Sequence, residues 1–234
     1  MARKYLIWDF DGTLAYRPGK WSGTIAEVVK RFAGLDVDIE TIRPFMQKGF
    51  PWDSPDRVNP PMRTADSWWA AMQPVFEGAF VGCGLPPRES KALACEVRAV
   101  YTDIALWTLY DDTRDVLSEL LMEKWSHVIL SNHVPELPSL VHGLGLGALI
   151  HRIVNSAETG FEKPNPGAFH AALASMDSPG EVWMIGDSMH ADVLGAEAVG
   201  LRAILVRSDD ARALRRAESL RDVRQFICPG ARIP

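Results

Sequence analysis

An α/β fold built on a doubly wound parallel sheet is predicted by three features of this 234-residue sequence. Short apolar runs recur along the chain and each stops at polar residues, helix-compatible stretches separate the runs, and two aspartates sit two apart where the first run ends. Continuous apolar runs of this kind read as strands covered on both faces, and strands alternating with helices pair in parallel.

The elements follow in order. Residues 5–8 form the first strand and end at Asp9; residues 127–130 end at Ser131-Asn132; residues 182–185 end at Gly186-Asp187; residues 202–206 end just before Ser208-Asp209-Asp210. Helices are expected over 113–124, 137–144, 166–176 and 191–199, the third with Asn165 as N-cap and Pro166 at its first position. Residues 15–108 break the alternation, with helical segments near 24–32, 65–80 and 88–106 and a Pro-rich connection at 51–61. They are read as a helical cap domain inserted into an α/β core made of residues 1–14 and 109–234. The insert leaves immediately after the first strand, so it is expected to lie over the strand ends, where ligands bind in such sheets. The tail from Arg212 is expected to finish the sheet or to contact another subunit.

Composition narrows the chemistry. With 47% hydrophobic and 24% charged residues the chain buries a core, and a net charge of −5 argues against nucleic acid as partner while leaving carboxylates to hold a cation. Cys83, Cys95 and Cys228 are far apart and contain no CxxC pair, so buried, reduced thiols are expected. No signal-peptide core precedes Asp9 and no apolar run reaches the ~20 residues of a membrane helix, so a soluble cytoplasmic protein without membrane contact is expected.

Asp9 and Asp11 both reach one side of the first strand's end, because strand side chains alternate with a period of two. One carboxylate can then attack an electrophile while the other, its proton held by the neighbouring charge, serves as acid. Alone, such a pair also fits a solvated turn. Likewise Lys163 read singly is a surface lysine before a helix, and Asp192 read singly favours its helix N-terminus.

Read together and in order, Asp9-Phe10-Asp11-Gly12-Thr13-Leu14, Ser131-Asn132, Lys163-Pro164 and the run from Gly186-Asp187 to Asp192 resemble the four motifs of the haloacid dehalogenase (HAD) superfamily. Within it the chain resembles C1-capped phosphatases of the phosphoglycolate phosphatase group, whose core is Rossmann-like. The resemblance implies Asp9 as nucleophile forming an aspartyl-phosphate and Asp11 as general acid and then base. Ser131, Asn132, Thr13 and Lys163 would contact the substrate phosphate, Thr13 also orienting Asp11 or its loop, and Lys163 would neutralise charge on the nucleophile. Mg²⁺ would be held by Asp9, the backbone carbonyl of Asp11, and Asp187, with Asp192 nearby.

These residues imply a phosphatase acting on a small phosphorylated metabolite. A halide leaves without a proton, so Asp11 favours phosphoryl transfer over dehalogenation. A sugar phosphomutase is the alternative within the superfamily, although Thr13 favours hydrolysis; a non-catalytic binding module is the alternative outside enzymes. The segment from Leu14 to Gly19 departs from the phosphoglycolate phosphatase pattern, so no substrate is assigned. His133 is left outside the site as a loop or capping residue. Trp21, Trp52 and Trp68-Trp69 are open to either cleft lining or packing, and Lys48, Arg57 and Arg63 to either anion contact or solvent.

Overall fold

The computed structural model describes residues 2–59 and 64–228, so Arg63 and the last residues of the tail lie outside the described residues. Eight strands are present among them: β1 (Arg3–Trp8), β2 (Ala15–Tyr16), β3 (Thr108–Leu109), β4 (Trp125–Ser131), β5 (Ile150–Asn155), β6 (Pro179–Gly186), β7 (Arg202–Val206) and β8 (Arg216–Ala217). The helices are α1 (Lys20–Val28), α2 (Ile39–Ile42), α3 (Ala65–Gly82), α4 (Pro87–Tyr101), α5 (Thr113–Met122), α6 (Leu137–Gly143), α7 (Ser156–Thr159), α8 (Pro166–Ala174), α9 (Gly195–Ala198) and α10 (Arg224–Ile227).

Six strands form one parallel sheet in the order β5-β4-β1-β6-β7-β8, the doubly wound arrangement expected. The chain builds outward from β1 through β4 to β5, then returns to the other side of β1 with β6. That reversal makes the carboxyl ends of β4, β1 and β6 the crevice where such sheets take ligands. Each face of the sheet has its own core, as the alternation along β1 requires. Leu6 and Trp8 pack with Trp125, Ile129 and Ile185 on one face. Tyr5 and Ile7 pack with Val128, Leu130 and Met184 on the other.

Helices α1 to α4 lie between β2 and β3, which pair antiparallel at Ala15–Leu109 and Tyr16–Thr108 and so close the excursion at its base. Several elements end where local chemistry dictates. Asn165 caps α8, its side chain accepting a 2.8 Å hydrogen bond from the Gly167 N–H, with Pro166 at the first turn. The expected helix at 191–199 is instead a π-helical turn (Met189–Leu194) running into α9. The expected helix at 88–106 stops at Tyr101, and a separate 3₁₀ turn follows at Ile104–Leu106. Three strands had no counterpart in the sequence reading, the two-residue β2 and β3 and also β5, whose edge position leaves Arg152 exposed, whereas β8 completes the sheet from the tail, one of the two roles expected of it. All three cysteines are free as expected, but only partly sheltered: Cys95 is exposed, and Cys83 and Cys228 are half-buried.

One buried polar contact across the sheet is sensitive to pH. The Trp8 Nε1–H donates to Nδ1 of His127 at 3.0 Å, and because an indole only donates, Nδ1 must be unprotonated. The proton therefore sits on Nε2, which donates to the Leu117 carbonyl at 2.9 Å. Burial lowers this imidazole to about 4. A histidine held neutral in the fold but free to protonate when unfolded contributes stability above its ordinary value of about 6.5, and that contribution fades as pH falls toward 4. His127→Gln is expected to be less stable than wild type at pH 7.5. The gap should narrow by roughly 3 kcal/mol on going to pH 4, as thermal unfolding at a series of pH values would show. A gap that stays constant with pH would mean that His127 is not held neutral.

Candidate active site

The crevice at the ends of β4, β1 and β6 opens into a cavity of about 460 Å³. It gathers Asp9, Asp11, Ser131, Asn132, Lys163, Asp187 and Asp192, seven of the eight positions singled out in the sequence. The strand ends place four of them. Asp9 follows β1, its N–H donating to the Ile185 carbonyl of β6 at 2.9 Å; Ser131 ends β4 and Asn132 follows it; Asp187 follows β6.

Hydrogen bonds converge on one oxygen of Asp9. Ser131 Oγ and Lys163 Nζ each donate to its Oδ1, both at 2.8 Å. Lys163 Nζ also donates to Asp192 Oδ1 at 2.6 Å, and the other oxygen of Asp192 accepts from the Ser188 N–H at 3.0 Å. Burial alone would lower the Lys163 ammonium, but the charges of Asp192 and Asp9 outweigh it and hold the group charged, above the ordinary lysine range. An ammonium has three protons, so one remains for a further anion.

Asp11 occupies a different environment in the same cavity. Its Oδ1 is buried without a hydrogen-bond partner. Burial pushes its carboxyl up to about 6, with the charge of Asp9 adding to the shift and Lys20 and Arg17 opposing it. Asp187 is raised further, to about 7, by burial and then by the charges of Asp9 and Asp192. Carboxylates crowded in this way repel one another unless a cation joins them. Asp9, Asp187 and Asp192 each offer an oxygen within 4.8 Å of the others, an all-oxygen donor set that suits a hard divalent cation. The Asp11 side chain is not part of this trio.

Two glycines permit the crowding. Gly12 adopts φ +94°, and a Cβ there would fall 2.3 Å from Asp187 Oδ2; a Cβ on Gly186 would fall 2.1 Å from Asp192 Oδ2. Any side chain at either position would displace a carboxylate.

One sequence expectation is corrected. Thr13 does not line the cavity: the tight turn in which Leu14 and Ala15 N–H groups return to the Phe10 carbonyl buries it completely, and its Oγ1 has no partner. Asn132 lines the cavity, but its side chain is engaged with the backbone of Lys163, accepting from its N–H at 2.7 Å and donating to its carbonyl at 2.9 Å. The side chain thus positions the lysine. His133, left out of the site, is buried below it against Phe10, Tyr101 and Trp107.

Sequence reasoning missed Lys20 and Ser188. Lys20 opens α1 after left-handed turns at Gly19 (φ +70°) and Lys20 itself (φ +49°), and it enters the cavity beside Asp11. The charges of Asp11, foremost, and of Asp187 and Asp9 raise its ammonium above the ordinary range. No residue-level signal in a Pro-Gly-Lys turn announces this. Ser188 caps the π-helical turn, its Oγ accepting from the Ala191 N–H at 3.0 Å, while its own N–H fixes Asp192.

Known proteins share this architecture. The solved structure of the putative HAD-hydrolase YfnB from Bacillus subtilis, bound to magnesium, superposes with a TM-score of 0.73 at 17% identity, covering 97% of this chain and 99% of that one. Among proteins of known name, the ribulose-1,5-bisphosphate 5-phosphatase of Halopiger xanaduensis is 30% identical over 204 residues, 86% of this chain and 83% of that enzyme. The phosphoserine phosphatase of Thermus thermophilus is 30% identical over 154 residues, so the match spans 64% of this chain and only 61% of that enzyme. The haloacid dehalogenase-like hydrolase family model matches residues 4–200, a span that contains every carboxylate of the cavity and Lys163, and the chain belongs to that family.

Proposed function

We propose that the protein is a Mg²⁺-dependent phosphatase that hydrolyses a small phosphomonoester through an aspartyl-phosphate on Asp9. The observation that carries this reading is the division of labour between two aspartates in one cavity. Asp9 Oδ1 accepts hydrogen bonds from Lys163 and Ser131, whereas Asp11 stands outside the cation trio, its Oδ1 without a partner and its pKa raised to about 6. Two carboxyl groups in such different surroundings suit a nucleophile and an acid.

In the first displacement the Asp9 carboxylate attacks phosphorus, the bond to the ester oxygen breaks, and Asp11 delivers its proton to that oxygen. In the second, Asp11 takes a proton from water, whose oxygen attacks the same phosphorus and releases Asp9 and inorganic phosphate. Lys163 and Ser131 steady charge on the nucleophile and on the phosphoryl oxygens, and Asn132 keeps Lys163 in place. Asp9 and Asp187 would hold Mg²⁺, with Asp192 supporting because both of its oxygens already accept hydrogen bonds. The ion supplies charge neutralisation at the phosphoryl group.

Residues 15–108 are proposed to act as the cap over a core of residues 1–14 and 109–234. Contacts between the two support this: Trp69 Nε1 and Arg98 Nε donate to Glu136 at 3.1 and 2.8 Å, and Asn165 Nδ2 donates to the Pro55 carbonyl at 2.8 Å.

The test is phosphate release from a panel of phosphomonoesters with Mg²⁺, with EDTA, and with Mg²⁺ restored. Turnover should fall at least about 100-fold in EDTA and recover when the ion returns. Turnover indifferent to EDTA would remove the metal from the reading, phosphate moved to a second sugar hydroxyl would indicate a mutase, and no turnover on any ester would point to a binding module.

A further inference from the structure

We infer that the alcohol half of the substrate carries an aromatic ring, docked against Trp21 and Trp52 beside the buried Tyr101. The inference rests on the phosphatase reading and adds the class of leaving group to it.

The two halves of the cavity differ in chemistry. The core side is polar throughout its charged strand ends. Among the described residues, the segment between β2 and β3 contributes Lys20 and three aromatic side chains to the lining and nothing else. These rings form an ordered wall. Trp21 stacks on Tyr101 with centroids 4.0 Å apart and planes 11° from parallel, and Trp52 stacks on Phe50 at 4.7 Å and 6°. Trp21 and Trp52 themselves lie 6.4 Å apart at 27°. Tyr101 is buried, whereas Trp21 and Trp52 keep part of their surface open to the cavity. The neighbouring pair Trp68 and Trp69 is buried in packing, so lining and packing tryptophans separate cleanly.

The wall stands beside the leaving oxygen. Asp11, which delivers the proton, is close enough to Tyr101 for its charge to act on the phenol, and Trp21 directly follows Lys20. The group attached to the ester oxygen therefore meets aromatic side chains first. A ring is rewarded there by offset stacking and by removal of apolar surface from water.

Other alcohols fit less well. A sugar would need partners for several hydroxyls, and among the described residues the wall offers only two indole N–H groups, the Tyr101 hydroxyl and Lys20, with no amide or carboxylate, so fewer of those hydroxyls would regain the partners lost with water. A short polyanion such as a carboxylate-bearing or bisphosphorylated alcohol would need a guanidinium or several ammoniums. Lys20 is the one cation from this segment in the lining among the described residues, and it already faces Asp11, Asp187 and Asp9. Lys48 and Arg57 are exposed and outside the cavity.

The experiment compares kcat/KM for benzyl phosphate, glycerol 3-phosphate, 2-phosphoglycolate and glucose 6-phosphate with Mg²⁺. All are esters of primary alcohols, so intrinsic leaving ability is similar. Benzyl phosphate should exceed each of the others by about tenfold or more. In Trp52→Ala, and to a smaller extent in Trp52→Leu, the benzyl-to-glycerol ratio should fall toward one. Phosphate release from the other esters with no benzyl preference overturns this inference and leaves the phosphatase reading standing, as does a ratio unmoved by both Trp52 variants. No release from any ester overturns both. The wild-type comparison needs no variant to fold.

Discussion

Asp9→Asn is expected to lower phosphate release by at least about 10⁴-fold while leaving the protein folded, since loss of a nucleophile removes the step on which the other groups act. Asparagine keeps an oxygen where Oδ1 now accepts from Ser131 and Lys163, so both hydrogen bonds survive. It removes one negative charge from the trio with Asp187 and Asp192, which eases their repulsion. Thermal stability without metal should therefore hold or rise slightly even as turnover disappears, and this combination separates loss of chemistry from loss of structure. The measurement pairs single-turnover phosphate release with a melting curve. Turnover close to wild type in this variant would refute the nucleophile, and with it the two-step mechanism.

The parts of the site that were legible in the sequence are those whose geometry is local. Asp9 and Asp11 share a side because a strand end places residues two apart together, and Ser131 and Asp187 stand at the ends of apolar runs that can only be buried strands. Lys163 and Asp192 carry no local signal. Their pairing at 2.6 Å depends on the loop before α8 meeting the turn after β6, and only the ordered set of motifs pointed to them. Lys20 and the role of Asn132 were hidden for the same reason, because each is defined by a partner far away in sequence. Thr13 misled in the opposite way: it lies in the motif, yet the turn at Gly12 folds it inward. In the fold, β5 escaped notice because an edge strand with Arg152 exposed loses the unbroken apolar pattern that marks the central strands.

Lys163→Met should abolish turnover and also lower stability by roughly 3–5 kcal/mol near pH 8, the range found when one partner of a buried ion pair is removed. The ammonium is almost inaccessible and satisfies two carboxylates, of which Asp192 is fully buried. Methionine fills similar space, so the loss reflects the stranded charge and not a cavity. Without Lys163, the one influence that most strongly lowers the Asp192 carboxyl is gone, while burial and the charge of Asp9 continue to raise it. A carboxyl raised in the fold above its unfolded value contributes least at high pH, where it must ionise in place, and recovers as pH falls and it takes up a proton. The deficit relative to wild type, measured in EDTA, should therefore shrink between pH 8 and pH 5. Adding Asp192→Asn to Lys163→Met removes the stranded charge altogether. The double variant should regain a substantial part of the lost stability, with no recovery of turnover because the nucleophile still lacks its ammonium. A double variant no more stable than Lys163→Met alone would show that the deficit does not come from the stranded charge of Asp192, since asparagine can still accept from the Ser188 N–H. The lysine is thus placed where one group answers two needs: it makes the buried Asp192 carboxylate tolerable in the fold and donates to the Asp9 oxygen beside it.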